Sequence, residues 1–407
     1  MSSSSRDHDE GTTEVDPRYL ETVTYHNREF QQHSVENSIY FSPIDEDEIE
    51  RLTRQHRLLS IVFDERLVFP PVNNPRRILD CGHGSASWAV DVAEQYPRCE
   101  VYGVDISSHM QPDEIPVNLH LQVDDLNRRF TFARNSFDIV HSQLVAGGIN
   151  AARWTTYLRD LFRVTRPGGW CQMVEVYYQV QSYNGTLTDE HGLRQWSTRM
   201  FQSMEGLKDL RMPLHLANAM RTAGFVDIDH RMIPLPTCAW SEDERERRIG
   251  AENRDNVQSF LSSLAIYPLS MLLCSNRRLT ESAVNTTPTA ERLGMTPNDV
   301  QLLIAHARNE ADHPAFKSTK AASTIDVLLS AENLWHREGD GDVYENQVDE
   351  NAAKSASLFT NTREGSREAQ QRLDTGINRT SSIAKACSTP ISAKSSCVRL
   401  EHSRRQL

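Results

Sequence analysis

The sequence predicts an α/β protein organised on a doubly wound, mostly parallel sheet of the seven-stranded type, with added helices over the ligand-binding end. Three observations predict it. Arg77-Ile78-Leu79-Asp80-Cys81 is a short apolar run that enters a turn with two glycines, Gly82-His83-Gly84-Ser85-Ala86-Ser87-Trp88, and a second run from Glu100 to Val104 ends on Asp105, the pattern of a nucleotide-binding βαβ unit. Strands and helical periods then keep alternating, with crossover-length connections, as far as Tyr178. Acids recur at the carboxyl ends of these strands, where parallel sheets bind their ligands.

Taken in order, Met1 to about residue 35 is polar and poor in aliphatics, so it reads as a disordered leader. Between Asp45 and Val62, Ile49, Leu52, Leu58, Leu59 and Val62 recur at roughly helical spacing, with Ser42 or Asp45 as the N-cap. The acids Asp45-Glu46-Asp47-Glu48 suit the positive end of that helix's dipole without any ligand. Next come strand Arg77–Cys81, helix Ala86–Gln95, and strands Glu100–Val104, Leu119–Val123 and Phe137–His141. Helix Ala151–Val164 is stopped by Arg166-Pro167-Gly168-Gly169, and strand Trp170–Tyr178 follows. Thr188–Met204 and Leu214–Ala223 read as helices, Phe225–Pro234 as a strand, and Trp240–Leu273 as a helical region broken at Pro268.

The turn chemistry selects the ligand. A dinucleotide cradle wants G-x-G-x-x-G, which leaves Ser87 in the third glycine's place. The pattern here is Asp80-x-Gly82-x-Gly84-x-Ala86, and an acid at that mouth repels a pyrophosphate but suits the ammonium of an amino acid carried on a nucleoside. S-adenosylmethionine is such a ligand. Gly82 and Gly84 let the backbone approach it, Asp105 is placed to accept from the ribose hydroxyls, and of Asp124 and Asp125, at the end of the third strand, Asp125 is favoured for the adenine amine. These residues are the expected cofactor site.

The series Ile78 to Asp105, then Asp124-Asp125, Phe137-Asp138-Ile139-Val140-His141 and Val164-Thr165-Arg166-Pro167-Gly168-Gly169-Trp170 resembles the motifs of class I S-adenosylmethionine-dependent methyltransferases. Upstream, Tyr40-Phe41-Ser42-Pro43-Ile44-Asp45-Glu46, with Glu50-Arg51-Leu52 and Gln55-His56, is similar to the lead-in of the fungal LaeA-like branch, whose members are associated with secondary metabolism. The resemblance covers about Tyr25 to Phe316. It implies a Rossmann-like methyltransferase fold over 36–316, with the cofactor half at about 76–180, acceptor-side helices at about 181–316, and His141 near the methionine end of the cofactor.

Methyl transfer is a displacement at a carbon already activated by the sulfonium, so alignment matters more than acid or base power. His141 is the expected base for a hydroxyl acceptor, and Glu175, a carboxylate inside the apolar run Met173-Val174-Glu175-Val176, is the second catalytic candidate. Trp88 and Trp170 read as core aromatics.

Composition sets limits. The 407 residues are 38% hydrophobic with a mean hydropathy of -0.56, enough for one sizeable core with polar ends. No apolar run reaches the roughly 20 residues of a membrane span, and the N-terminus lacks a signal-peptide pattern. Seven dispersed cysteines read as reduced thiols, so a cytoplasmic or nuclear location is expected. No metal site stands out among the fifteen histidines. A net charge of -12 argues against a nucleic-acid surface. From Asn351 onward, three Lys and seven Arg face three Glu and one Asp, which suits a solvated tail or one that docks a partner.

Two departures from the resembled family stand out. Ser275 to Thr289 reads as an insertion, and after Phe316 the polar Ser318–Ser323 replaces the expected last apolar strand, so 317–407 reads as a disordered tail and the sheet is expected to lack its closing strand. Thr324–Leu329 is the only substitute, weakened by Asp326. Three functions stay open. They are a methyltransferase acting on a small secondary metabolite, a cofactor-binding regulator working through protein partners, and an NAD-dependent oxidoreductase, disfavoured by the missing third glycine.

Overall fold

Short, apolar segments with few polar interruptions become the sheet. The structure, a computed structural model, describes residues 15–272 and 295–328, all within the unit Met1–Trp335. The central strands are β3 (Arg77–Cys81), β4 (Glu100–Asp105), β5 (Leu119–Val123), β6 (Phe137–Gln143) and β7 (Thr165–Ser182), preceded by a hairpin of β1 (Thr22–Tyr25) and β2 (Arg28–Gln31). Two further strands, β8 (Val226–Pro236) and β9 (Ser318–Leu328), complete a seven-stranded sheet in the order β5-β4-β3-β6-β7-β9-β8. β3 pairs in parallel with β4 and β6, β4 with β5, and β6 with β7, whereas β9 runs antiparallel to both its neighbours.

The helices are α1 (Gln32–Glu36), α2 (Glu46–Val62), α3 (Ser87–Gln95), α4 (Trp154–Val164), α5 (Gly192–Met204), α6 (Met212–Ala223), α7 (Glu244–Tyr267) and α8 (Pro297–Ala311). Their faces explain their places. In α4, Tyr157, Leu158, Leu161 and Val164 recur at helical spacing and are fully buried against β6 and β7, each such side chain contributing about 1.5–3 kcal/mol. Thr165 ends the helix in extended conformation, ahead of Pro167. α6 stops at Gly224, whose φ of +112° and close approach to Phe162, 2.9 Å from where a Cβ would sit, both require glycine. On α2, Asp45 caps the helix by accepting from the Glu48 amide at 3.2 Å.

A second core lies over the carboxyl end of the sheet. α5, α7 and α8 pack there around Trp196, Met200, Phe260, Leu261 and Ile304 and form a helical cap.

Three expectations need correction. The leader is not without structure as far as residue 35, because a 3-10 turn at Pro17–Tyr19, the hairpin and α1 occupy Pro17–Glu36. Phe30 is fully buried among Tyr25, Phe41 and Tyr267, and Gln31 donates to the carbonyls of Tyr19 and Ile106 at 2.7 and 2.8 Å. Residues 1–14 lie outside the described residues.

The sheet does not lack its last strand. β9 spans Ser318–Leu328 and is an interior strand, paired to β7 from Trp170↔Leu328 to Ser182↔Ser318 and to β8 on the other side. Backbone hydrogen bonding on both edges holds the segment despite its polar sequence, and Asp326 pairs between Gln172 and Asp229. β8 is thus one edge of the sheet, β5 being the other, and the mostly exposed middle of β8, Asp229-His230-Arg231, carries the charges that blunt such an edge.

The helix expected from Thr188 begins only at Gly192, and the region broken at Pro268 continues as a π-helical turn over Pro268–Leu272. The Ser275–Thr289 insertion and the tail beyond Leu328 lie outside the described residues. No described helix is long and apolar enough to cross a membrane.

Candidate active site

The strand ends, the segment between α1 and α2, α2 itself and the cap surround a cavity of about 1440 Å³, its open mouth included. Of the expected cofactor residues, Asp80, Gly82, Gly84, Asp105, Asp125 and His141 line it and Asp124 does not; the catalytic candidate Glu175 does not line it either.

At its floor the turn after β3 is held in an unusual backbone. Gly82, Gly84 and Ala86 have φ of +80°, +56° and +60°. A Cβ on Gly82 would lie 2.8 Å from Val145 Cγ1, so only glycine fits there. The turn is tied to the next strand: Gly82 N donates to Val104 O at 2.8 Å, and Gly84 N donates to Asp105 Oδ2 at 2.9 Å. Asp105 Oδ1 accepts from Ser107 N at 3.0 Å, so this carboxylate braces the loops on both sides of it.

Asp80 is different. The residue is 3% exposed, and its carboxyl takes part in no hydrogen bond or ion pair among the described residues. Burial, and then the nearby Asp105 charge, push its pKa up to about 8. A buried carboxyl without a partner is costly, and one facing a cavity is suited to a cationic ligand.

On the other side, Asp125 Oδ1 accepts from Asn127 N at 2.9 Å and leaves the carboxylate on the cavity wall. Asp124 turns away, accepting from Asp125 N at 2.8 Å and approaching Thr131, so its side chain serves the turn.

Both catalytic expectations are changed by the geometry. Glu175 is 1% exposed and set behind the post-β6 loop, where it accepts from Val145 N at 2.9 Å and Ala146 N at 3.3 Å. Burial raises its pKa to about 8 against those two bonds. It holds the loop and does not face the cavity.

His141 reaches the cavity wall but is badly placed as a base. Gln172 Oε1 accepts from Phe69 N at 2.8 Å, which turns Gln172 Nε2 toward His141 Nδ1 at 3.3 Å. Nδ1 therefore accepts and Nε2 carries the proton, buried without a hydrogen-bond partner among the described residues. Burial, then the neighbouring His56, lower the pKa to about 3, and Gln143 offsets little of this. Trp88, 7% exposed, packs in the core as expected but also lines the cavity; Trp170 is half-buried and lines no part of it.

Sequence reasoning missed the polar side of the roof. Glu48, read as an acid that stabilises the helix dipole, is fully buried and forms a two-point ion pair with Arg51, at 2.7 and 3.0 Å. Arg51 also donates to Gln55 Oε1 at 2.8 Å, and Arg51, Gln55 and His56 all line the cavity. The spacing of Glu48, Arg51 and Gln55 on one helix face was the available signal. Tyr40 and Ser42 add hydroxyls, with the Tyr40 phenol pushed up to about 12, chiefly by burial. Lys208, in a polar turn between α5 and α6, gave no signal, yet it is 5% exposed and bound to three oxygens close to the cavity. The far end is apolar, walled by Phe41, Val176, Met200, Met204, Leu210, Phe260 and Leu264.

Residues 78–169 match the methyltransferase-domain family model. The chain is 30% identical over 244 residues to the secondary metabolism regulator LaeA of Aspergillus fumigatus, covering 58% of this chain and 64% of that protein. It is equally similar, with the same coverage, to the protein-methionine methyltransferase LaeA of Emericella nidulans. The chain thus spans less than two thirds of the length of these curated relatives. Among solved structures, Haemonchus contortus phosphoethanolamine N-methyltransferase 2, bound to phosphomonomethylethanolamine and S-adenosylhomocysteine, is 17% identical at a TM-score of 0.39, covering 68% of this chain and 53% of that one. Residues 78–169 thus match a methyltransferase domain, in a chain similar over 58% of its length to fungal LaeA proteins.

Proposed function

We propose that this chain transfers a methyl group from S-adenosylmethionine to a small, largely apolar molecule of fungal secondary metabolism. The observation that carries the reading is Asp80, a buried carboxyl without a partner among the described residues, at the head of a cavity whose floor is a glycine turn. It fits the amino-acid ammonium of the donor. Asp105 offers carboxylate oxygens for the ribose, and Asp125 an acceptor for the adenine amine. When bound, the donor supplies a methyl on a sulfonium, a carbon ready for displacement.

The chain's own residues then have to orient the acceptor and exclude water. The wall of Phe41, Val176, Met200, Met204, Phe260 and Leu264 suits an apolar acceptor, and the adaptable methionines suit an irregular one. Tyr40, Arg51 and Gln55 offer a few fixed polar contacts, the usual make-up of a small-molecule site. With His141 protonated on Nε2 and its Nδ1 engaged, no base is assigned to it, which favours acceptors that need none.

A regulatory reading through protein partners is favoured by the relatives, one a secondary metabolism regulator and one a protein-methionine methyltransferase. Labelled donor incubated with whole extract of a producing culture separates the two. Label in the small-molecule fraction supports the proposal, and label confined to protein supports the other reading.

A further inference from the structure

The donor end of the cavity is walled largely by segments without regular structure: 39–42, 125–127 and 144–149. Such segments hold a ligand only if something fixes them against one another. One buried side chain touches two of them directly. Lys208 Nζ donates to Ile39 O at 2.7 Å, to Gly148 O at 2.8 Å and to Asn150 Oδ1 at 2.6 Å. It lies 5.9 Å from the centre of the Phe41 ring.

The third segment is reached through Asn127. Its Nδ2 donates to the same Gly148 carbonyl at 3.1 Å and to Asp125 Oδ1 at 3.2 Å, while its Oδ1 accepts from Asn150 N at 2.7 Å. The backbone repeats the tie, since Ala151 N donates to Leu207 O and Asn150 forms an antiparallel bridge with Lys208. A continuous polar chain therefore runs from the α5–α6 turn of the cap, through Gly148 and Asn127, to the Asp125 carboxylate, and a branch runs to the Ile39–Ser42 strap.

We infer that Lys208 is a positioning residue for donor binding, latching the strap and the Asp125 loop closed over the bound nucleoside and making donor retention depend on the seating of the cap. This rests on the donor-site reading above. Removing the ammonium should free the strap and speed donor escape, with little effect on how fast donor enters an already open mouth.

The test uses the full chain and S-adenosylhomocysteine as probe, with affinity from calorimetry and dissociation rate from stopped-flow tryptophan fluorescence. If the unaltered chain does not bind the probe, the donor-site reading itself fails. If it binds, Lys208→Met should release the probe about tenfold faster, Asn127→Ala should weaken binding by a similar factor, and the double variant should fall well short of the product of the two effects. Lys208→Arg, which keeps a charged donor, should recover part of the loss. Unchanged release from Lys208→Met, or effects that simply multiply in the double variant, would overturn the latch. Should Lys208→Met fail to fold, Lys208→Arg paired with Asn127→Ala gives the same cycle, and multiplying effects there would overturn it equally.

Discussion

The indole of Trp88 lies flat on the imidazole of His141, with ring centroids 3.7 Å apart and planes inclined by 18°. The stack joins the helix after the glycine turn to the strand beside it, and it seals the His141 ring from solvent. A histidine so enclosed, with a pKa near 3 and its Nδ1 accepting from Gln172, stays neutral across the physiological range. We expect the His141 ring signals in NMR spectra to stay constant between pH 5 and 8. Trp88→Ala should cost about 3–5 kcal/mol in chemical denaturation and return the ring toward an ordinary pKa of about 6.5. A His141 titration near neutrality in the unaltered chain would restore its candidacy as a base.

Asp80 predicts a pH dependence with a definite sign. Its folded pKa of about 8 lies above the ordinary carboxylate value, so between those two values the empty folded chain holds a proton that the unfolded chain has released. Stability of the free protein is therefore lost as pH rises through this window, and Asp80→Asn should flatten the trend in melting temperature. Pairing with the donor's ammonium needs the ionised form. Affinity for S-adenosylhomocysteine should rise from pH 6 to pH 8, with proton release visible as a buffer-dependent binding heat.

The two glycines of the turn should respond differently to alanine. At Gly82 a Cβ meets Val145 at 2.8 Å and the backbone has φ +80°; at Gly84 the nearest atom is Leu52 Cδ1 at 3.4 Å and φ is +56°, close to the +60° of Ala86. Gly84→Ala should cost about 1 kcal/mol from backbone strain, and Gly82→Ala about 1–3 kcal/mol more because the β6 loop has to move. Melting temperatures of the two variants check the order.

Glu175 should act on structure. Glu175→Gln keeps one acceptor oxygen for two amides, so one of Val145 N and Ala146 N loses its partner, at about 1–3 kcal/mol. Denaturant titration measures that loss. Donor affinity should fall only as far as the loop loosens, because the carboxylate does not face the cavity.

The cofactor half was legible because its rules are local. Buried parallel strands must be apolar runs, and the turn after β3 must carry glycine, so β3 through β6 and the acids at their ends could be read from residue types alone. The N-terminal hairpin was missed because its signal is weak. Its two-residue turn, His26-Asn27, has φ of +52° and +60°, a type I′ geometry that Asn-Gly would have announced and His-Asn does not. β9 was missed because interior pairing on both edges lets Ser318 to Ser323 form a strand without an apolar pattern. Lys208 and the Glu48–Arg51 pair owe their roles to burial by distant elements, which composition does not reveal.

Calorimetric titration of the full chain with S-adenosylhomocysteine, with NAD as the comparison ligand, tests the donor site most directly. Saturable one-to-one binding of the first and no heat from the second are expected. Saturable NAD binding without any response to S-adenosylhomocysteine would contradict the donor site.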